Sequence, residues 1–176
     1  MPYFTAEASL PEATAMPEPA APPYEADFYA WTQDQARRLR EAAAARVNLP
    51  LDFENLAEEV ESMGSEQAFA VESALVRILG HLLKLEHSPA PNPRAGWMET
   101  VDTQRDEVSR RLRRNPALTR QLGEFLDTAW PAARKHAARG LARHGEATGA
   151  VPPGCPYSPA QALDPDWWPA NRHGLD

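Results

Sequence analysis

Cysteine is nearly absent: Cys155 is the only one in 176 residues. A lone thiol excludes an internal disulfide and fits a reducing cytoplasm. Apolar runs are short, and none reaches the roughly 18 residues that a membrane-spanning helix needs. The N-terminus lacks the basic stretch and apolar core of a secretion signal. Basic residues are outnumbered, with 18 Lys and Arg against 25 Asp and Glu, a net charge of −7 and a pI of about 5.3. That balance argues against nucleic acid or an anionic membrane as a partner for the surface as a whole. The expectation is a cytoplasmic protein, long enough for one domain with a real core.

What is present is helical rhythm. From Phe53, at 100° per residue, Leu56, Ala57, Val60, Gly64, Gln67, Val71, Ala74, Leu75, Ile78, Leu82 and Leu85 all fall within about 60° of the starting direction. The phase does not reset at Gly64, which favours one helix about 50 Å long from Asp52 to Leu85. The rival is a hairpin or kink at Met63-Gly64-Ser65, since Gly often follows a helix end and Ser is a good N-cap. In the single-helix reading Gly64 is a weak point, costing about 1 kcal/mol relative to Ala. Asp52 can cap the start, Glu54 suits the first turn, and Leu51 can pack on Leu56. A second stripe, Phe69, Val76 and Leu83, recurs every seven residues with Gly80 beside it. It is buried between neighbouring helices or pairs with a second copy of the chain.

The flanking segments read the same way. Residues 1–23 hold six prolines without periodicity, a disordered tail. Tyr24 to Val47 is a helix with Phe28, Trp31, Thr32, Gln35, Leu39 and Ala42 on one face. His87 to Gly96, with three prolines and a glycine, is a loop. Trp97 to Arg114 is a third helix, with Val101, Gln104, Val108 and Leu112 beside Trp97. Asn115 should cap the next helix and Pro116 take its first position. Pro131 should kink that helix or open a new one through about Arg143. Ser158-Pro159-Ala160-Gln161 has the form of a capping box, and Trp167 and Trp168 should anchor the C-terminal segment to the helices. The fold class is all-α: four to five main helices around one long central helix, without a β-sheet. Its divisions are a tail (1–23), a helical bundle (24–145) and an irregular C-terminal segment with a short helix (146–176).

Candidate chemistry is scattered. Glu54, Glu58 and Glu61 share a helix face and, with Glu59, could hold Mg²⁺ or Mn²⁺ through oxygen. The usual Glu-x-x-His pair of bundle metal sites is missing from this helix. His81 lies some 30–40 Å further along the axis, so another ligand would come from Asp27, Asp102, His136 or a second subunit. The plainer account is a solvated, acidic helix start. His81 and Lys84, one turn apart beside the buried stripe, could be an acid/base pair or core-edge hydrogen bonders. Gln35 and Gln104 sit in apolar faces and suggest an amide or water network between helices. Arg105, Arg110, Arg111, Arg113 and Arg114 could contact nucleic acid, but no aromatic residues interleave as stacking platforms, and cations at a helix C-terminus complement its dipole. Cys155 has no basic neighbour in sequence to activate it. The candidate polar or pocket residues are therefore Trp31, Gln35, Glu58, Glu59, Glu61, His81, Lys84, Gln104 and Arg105, and no catalytic residue is named.

Five ordered blocks, YEADFYAWTQDQARRLR, LDFENLAEEVESMG, HLLKL, the Trp97…Thr100…Gln104-Arg105 spacing and CPYSPAQAL, resemble the bacterial family catalogued as domain of unknown function twenty-nine. The likeness runs from about Tyr24 to Leu163. Val101 stands where isoleucine is expected, a mild departure. The resemblance implies an all-helical domain of bacterial origin and a packing role for the Cys155-Pro156-Tyr157 corner, and it implies no catalytic residues. The expected role is a protein-interaction or regulatory module, self-associating through Phe69, Val76 and Leu83 or binding another protein. The alternatives are a metal-dependent hydrolase using Glu54 to Glu61 and nucleic-acid binding through the Arg105–Arg114 helix.

Overall fold

A computed structural model describes residues 23–143, 145–146 and 151–175. Nearly all of the expected tail lies outside that range. Five α-helices and one 3₁₀ segment follow in order: α1 (Phe28–Ala44), α2 (Phe53–His87), α3 (Arg94–Arg114), the 3₁₀ segment Pro116–Gln121, α4 (Leu122–Arg143) and α5 (Pro159–Leu163). No strand occurs among the described residues. The fold is all-α.

α2 is the axis, packing along its length against α1, α3 and α4. It runs unbroken through Gly64, with Asp52 Oδ1 accepting from Asn55 N at its start. Gly64 is buried, and a Cβ there would overlap Thr32 Oγ1 and lie 3.2 Å from Thr32 Cβ. The glycine is thus neither a turn nor a mere soft spot. It lets α1 approach α2 closely at Thr32.

Cross-helix contacts set the register. Arg40 near the end of α1 pairs with Glu61 near the start of α2, so these two helices are antiparallel. Arg111 bonds Gln67 and Arg77 bonds Gln104, so α3 is antiparallel to α2 as well. α4 runs alongside α2 in the same direction, its Ala133 backbone against Gly80 and its Gly140 against Lys84. Leu75, Ile78, Leu79, Leu82 and Leu83 are fully buried between these helices. Truncating one of them to Ala would cost about 2–5 kcal/mol.

Several local expectations change. The Phe69, Val76, Leu83 stripe is split: Leu83 is wholly inside the core, Val76 is half-buried and Phe69 is 65% exposed. α4 covers the upper half of the stripe, so it cannot serve as one continuous surface. Leu56 is not core and Leu51 does not shield it; they are 40% and 52% exposed, because α3 and α4 end before the first turns of α2. Asn115 does not cap the helix it precedes. Its Oδ1 accepts from Tyr29 N of α1, and its Nδ2 donates to Arg111 O of α3. Pro131 does not break α4; it and Asp127 lie on the exposed side, where water can take the carbonyl left without a donor.

The C-terminal residues are tied back by polar anchors. The buried Arg105 donates from Nε to Ala162 O and from Nη2 to Gln161 O and Trp167 O, with its guanidinium 4.6 Å from the Trp168 ring centre. Asn171 Nδ2 donates to Leu85 O and Ser88 O, closing the end of α2. α5 carries the capping box between Ser158 and Gln161.

Candidate functional site

Most of the polar residues singled out by the sequence are already engaged. Trp31 belongs to an aromatic cluster, edge-on to Tyr24 at 5.0 Å and stacked with Phe28 at 6.2 Å. Gln35 and Gln104 are both half-buried but do not share a network: Gln35 donates to Asp34, and Gln104 accepts from Arg77 on α2. Arg105 is an anchor for backbone carbonyls. Arg110 and Arg111 both pair with Glu107, and Arg113 bonds Ser109. A groove of about 610 Å³ between α2 and α3 is lined by Arg77, Gln104, Glu107, Arg110 and Arg111, whose polar groups are largely paired with one another.

The acidic run does not form a cage. Glu54, Glu58 and Glu59 are exposed, Glu61 accepts from Arg40 Nη2 at 2.5 Å, and Asp102 and His136 are exposed. Asp27 spends both carboxylate oxygens on backbone amides, those of Ala30 and Ala117. Among the described residues no group of three His, Cys, Asp or Glu side chains is arranged to hold a metal ion. Cys155 is half-buried, and burial pushes its thiol up, away from the nucleophilic thiolate.

Two places remain with unmet chemistry. The first surrounds Lys84. Its side chain leaves α2 between α3 and α4, with Nζ 5.8 Å from the centre of the Trp97 ring. A Cβ at Gly140 would come within 2.8 Å of Lys84 Cε, so glycine there makes room for the lysine stem. Lys84, Pro93, Trp97, Gly140, Leu141 and Glu146 enclose about 100 Å³. Ser88 Oγ donates to Glu146 Oε1, while the buried Oε2 has no partner. Burial lowers the Lys84 pKa, and Arg143 adds to the effect. One turn back, burial and then Lys84 bring His81 down to about 4, so its imidazole is neutral at physiological pH, with a buried Nδ1 lacking a partner. The sequence pointed to His81 and Lys84, but Trp97, Gly140 and Glu146 come from segments whose convergence has no sequence signal.

The second place is the arm formed by the end of α1, the connection and the start of α2. Among the described residues seven large hydrophobic side chains are exposed, and six of them, Val47, Leu49, Leu51, Leu56, Met63 and Phe69, fall here. Leu56 and Met63 are seven residues apart and so share a side of α2.

A third cluster is structural. Tyr157 donates to Glu86 Oε2 at 2.7 Å, and Arg172 donates twice to Oε1. Burial would raise the Glu86 carboxyl, yet Tyr157 and Arg172 hold it below its usual range. Burial and this carboxylate both push the Tyr157 phenol up.

Among curated proteins none matches the chain. A crystal structure of an alpha-helical protein of unknown function from Rhodospirillum rubrum is similar, with 27% identity and a TM-score of 0.70 over 84% of this chain and 93% of that one. The profile of the family described as Domain of unknown function DUF29 matches residues 23–168. The chain belongs to the DUF29 family.

Proposed function

We propose that the protein is a cytoplasmic interaction module whose α1–α2 arm docks a basic amphipathic helix of another protein. The observation that carries this is the concentration of exposed apolar side chains on the arm, most of them in a stretch whose charged residues are all acidic. Residues 47–76 contain Asp52, Glu54, Glu58, Glu59, Glu61, Glu66 and Glu72 and no Lys, Arg or His. Arg40 bonds Glu61 and lies near Glu54 and Glu58, which leaves Glu59 and Glu66 without a cation beside the Leu56–Met63 ridge. An apolar ridge bordered by free carboxylates suits a helix with leucines on one face and lysines at its margins. Two helices extending past their neighbours also gain burial when a third covers them. A cytoplasmic setting accords with the single cysteine, and no helix of the described residues is long and apolar enough to cross a membrane.

The test is chemical-shift mapping of the full chain with a synthetic Leu/Lys amphipathic helical peptide. Perturbations centred on residues 47–69, weakened by salt and lost in a Leu56→Ser/Met63→Ser variant, support the reading. Binding that survives in that variant overturns it. Self-association without peptide, lost in the same variant, would assign the arm to a second copy of the chain instead.

A further inference from the structure

The Lys84 cleft is independent of the arm and lies at the other end of α2. Its walls place two opposite charges around a small space without letting them meet. Among the described residues no ion pair joins Lys84 to Glu146. One oxygen of Glu146 is held by Ser88 and the other is buried without a donor, a costly arrangement for a carboxylate. An ammonium group offers three donors and no acceptor, so Lys84 calls for an acceptor from outside. The face of Trp97 holds the cation in place, and Gly140 keeps its stem from being displaced.

The occupant of such a space must accept at one end and donate at the other. A simple carboxylate would satisfy Lys84 but set a second negative charge beside Glu146. A simple amine would satisfy Glu146 but repel Lys84 and the nearby Arg143. In a partly desolvated cleft either repulsion is felt strongly. A molecule carrying both charges meets both walls at once. The cleft is small, about 100 Å³, which suits a small guest.

We propose that this cleft binds a small zwitterion, an amino acid of the size of glycine or alanine, its carboxylate on Lys84 and its ammonium on Glu146. Trp97 forms the apolar wall along the guest's carbon. Leu141 and Pro93 also line the space, which is too small to favour an amino acid with a large side chain.

The experiment is thermal unfolding and titration calorimetry of the full chain with glycine, alanine and β-alanine, against acetate, methylammonium and phenylalanine. All are used at millimolar concentration, far below the level at which amino acids stabilise proteins by exclusion. At least one small zwitterion should raise the melting temperature by a few degrees, with neither single-charge fragment nor phenylalanine doing so. Glu146→Gln and Lys84→Met should each weaken binding roughly tenfold or more. Should Lys84→Met fold poorly, Glu146→Gln carries the comparison. No effect from any zwitterion overturns the proposal, as does an equal effect from acetate, or binding that survives in Glu146→Gln.

Discussion

Asp27 and Asn115, 88 positions apart in the chain, cap one another's segments. Asp27 Oδ1 accepts from Ala30 N in its own helix at 2.9 Å, and its Oδ2 accepts from Ala117 N at 2.6 Å. Asn115 Oδ1 accepts from Tyr29 N at 3.0 Å. The exchange locks the start of α1 to the turn between α3 and α4. Both side chains are buried, so neither amide acceptor is readily replaced by water. Asp27→Ala and Asn115→Ala should each lower stability by about 1–2 kcal/mol in denaturant unfolding. The double variant should lose less than the sum, because each change frees the turn that the other side chain grips. Strict additivity would show that the two caps act separately.

Gly64→Ala sets helix propensity against packing. In an exposed helix the change would stabilise by about 1 kcal/mol. Here the new methyl meets Thr32, and a net loss of about 1–3 kcal/mol is expected. Combining it with Thr32→Ala, which removes the overlapping hydroxyl, should recover much of that loss. A stabilised Gly64→Ala single variant would contradict the close approach of α1 and α2.

His81 makes stability depend on pH. Its folded-state pKa of about 4 lies below the ordinary value of 6.5, so between those values the unfolded chain binds the proton and the folded chain does not. Stability from this group is therefore fully present above about 6.5 and is lost as pH falls toward 4. With the partial exposure of the ring discounted, the loss is on the order of 1–2 kcal/mol. Urea unfolding of wild type and His81→Gln across that window should show a shallower slope in the variant. Parallel slopes would mean the imidazole titrates normally.

Arg105 should control the C-terminal segment. Arg105→Lys keeps the charge but cannot serve three carbonyls and stack on Trp168 together. Hydrogen exchange across residues 158–171 should accelerate, with about 2–4 kcal/mol lost overall. Unchanged protection there would show that Asn171 and Tyr157 suffice to hold the segment.

The legible part of this protein was what one helix can display by itself. The rhythm from Phe53 to Leu85 specified a single long helix and its apolar side, because helical geometry alone puts those residues on one face. The Ser158 capping box was equally local. Sequence resemblance alone also pointed to the DUF29 family, to which the chain belongs. Tertiary structure decided whatever needed two segments at once. Gly64 reads as a weak point in the helix until Thr32 lies against it, and Asn115 reads as a cap for its own helix until Tyr29 arrives. Leu56 and Leu83 belong to similar apolar stripes, yet one is exposed and the other buried, because α3 and α4 cover only the far part of α2. The Lys84 cleft likewise exists only where α2, α3, α4 and Glu146 meet. Periodicity records which way a side chain points from its own axis; what stands opposite is settled by how the helices pack.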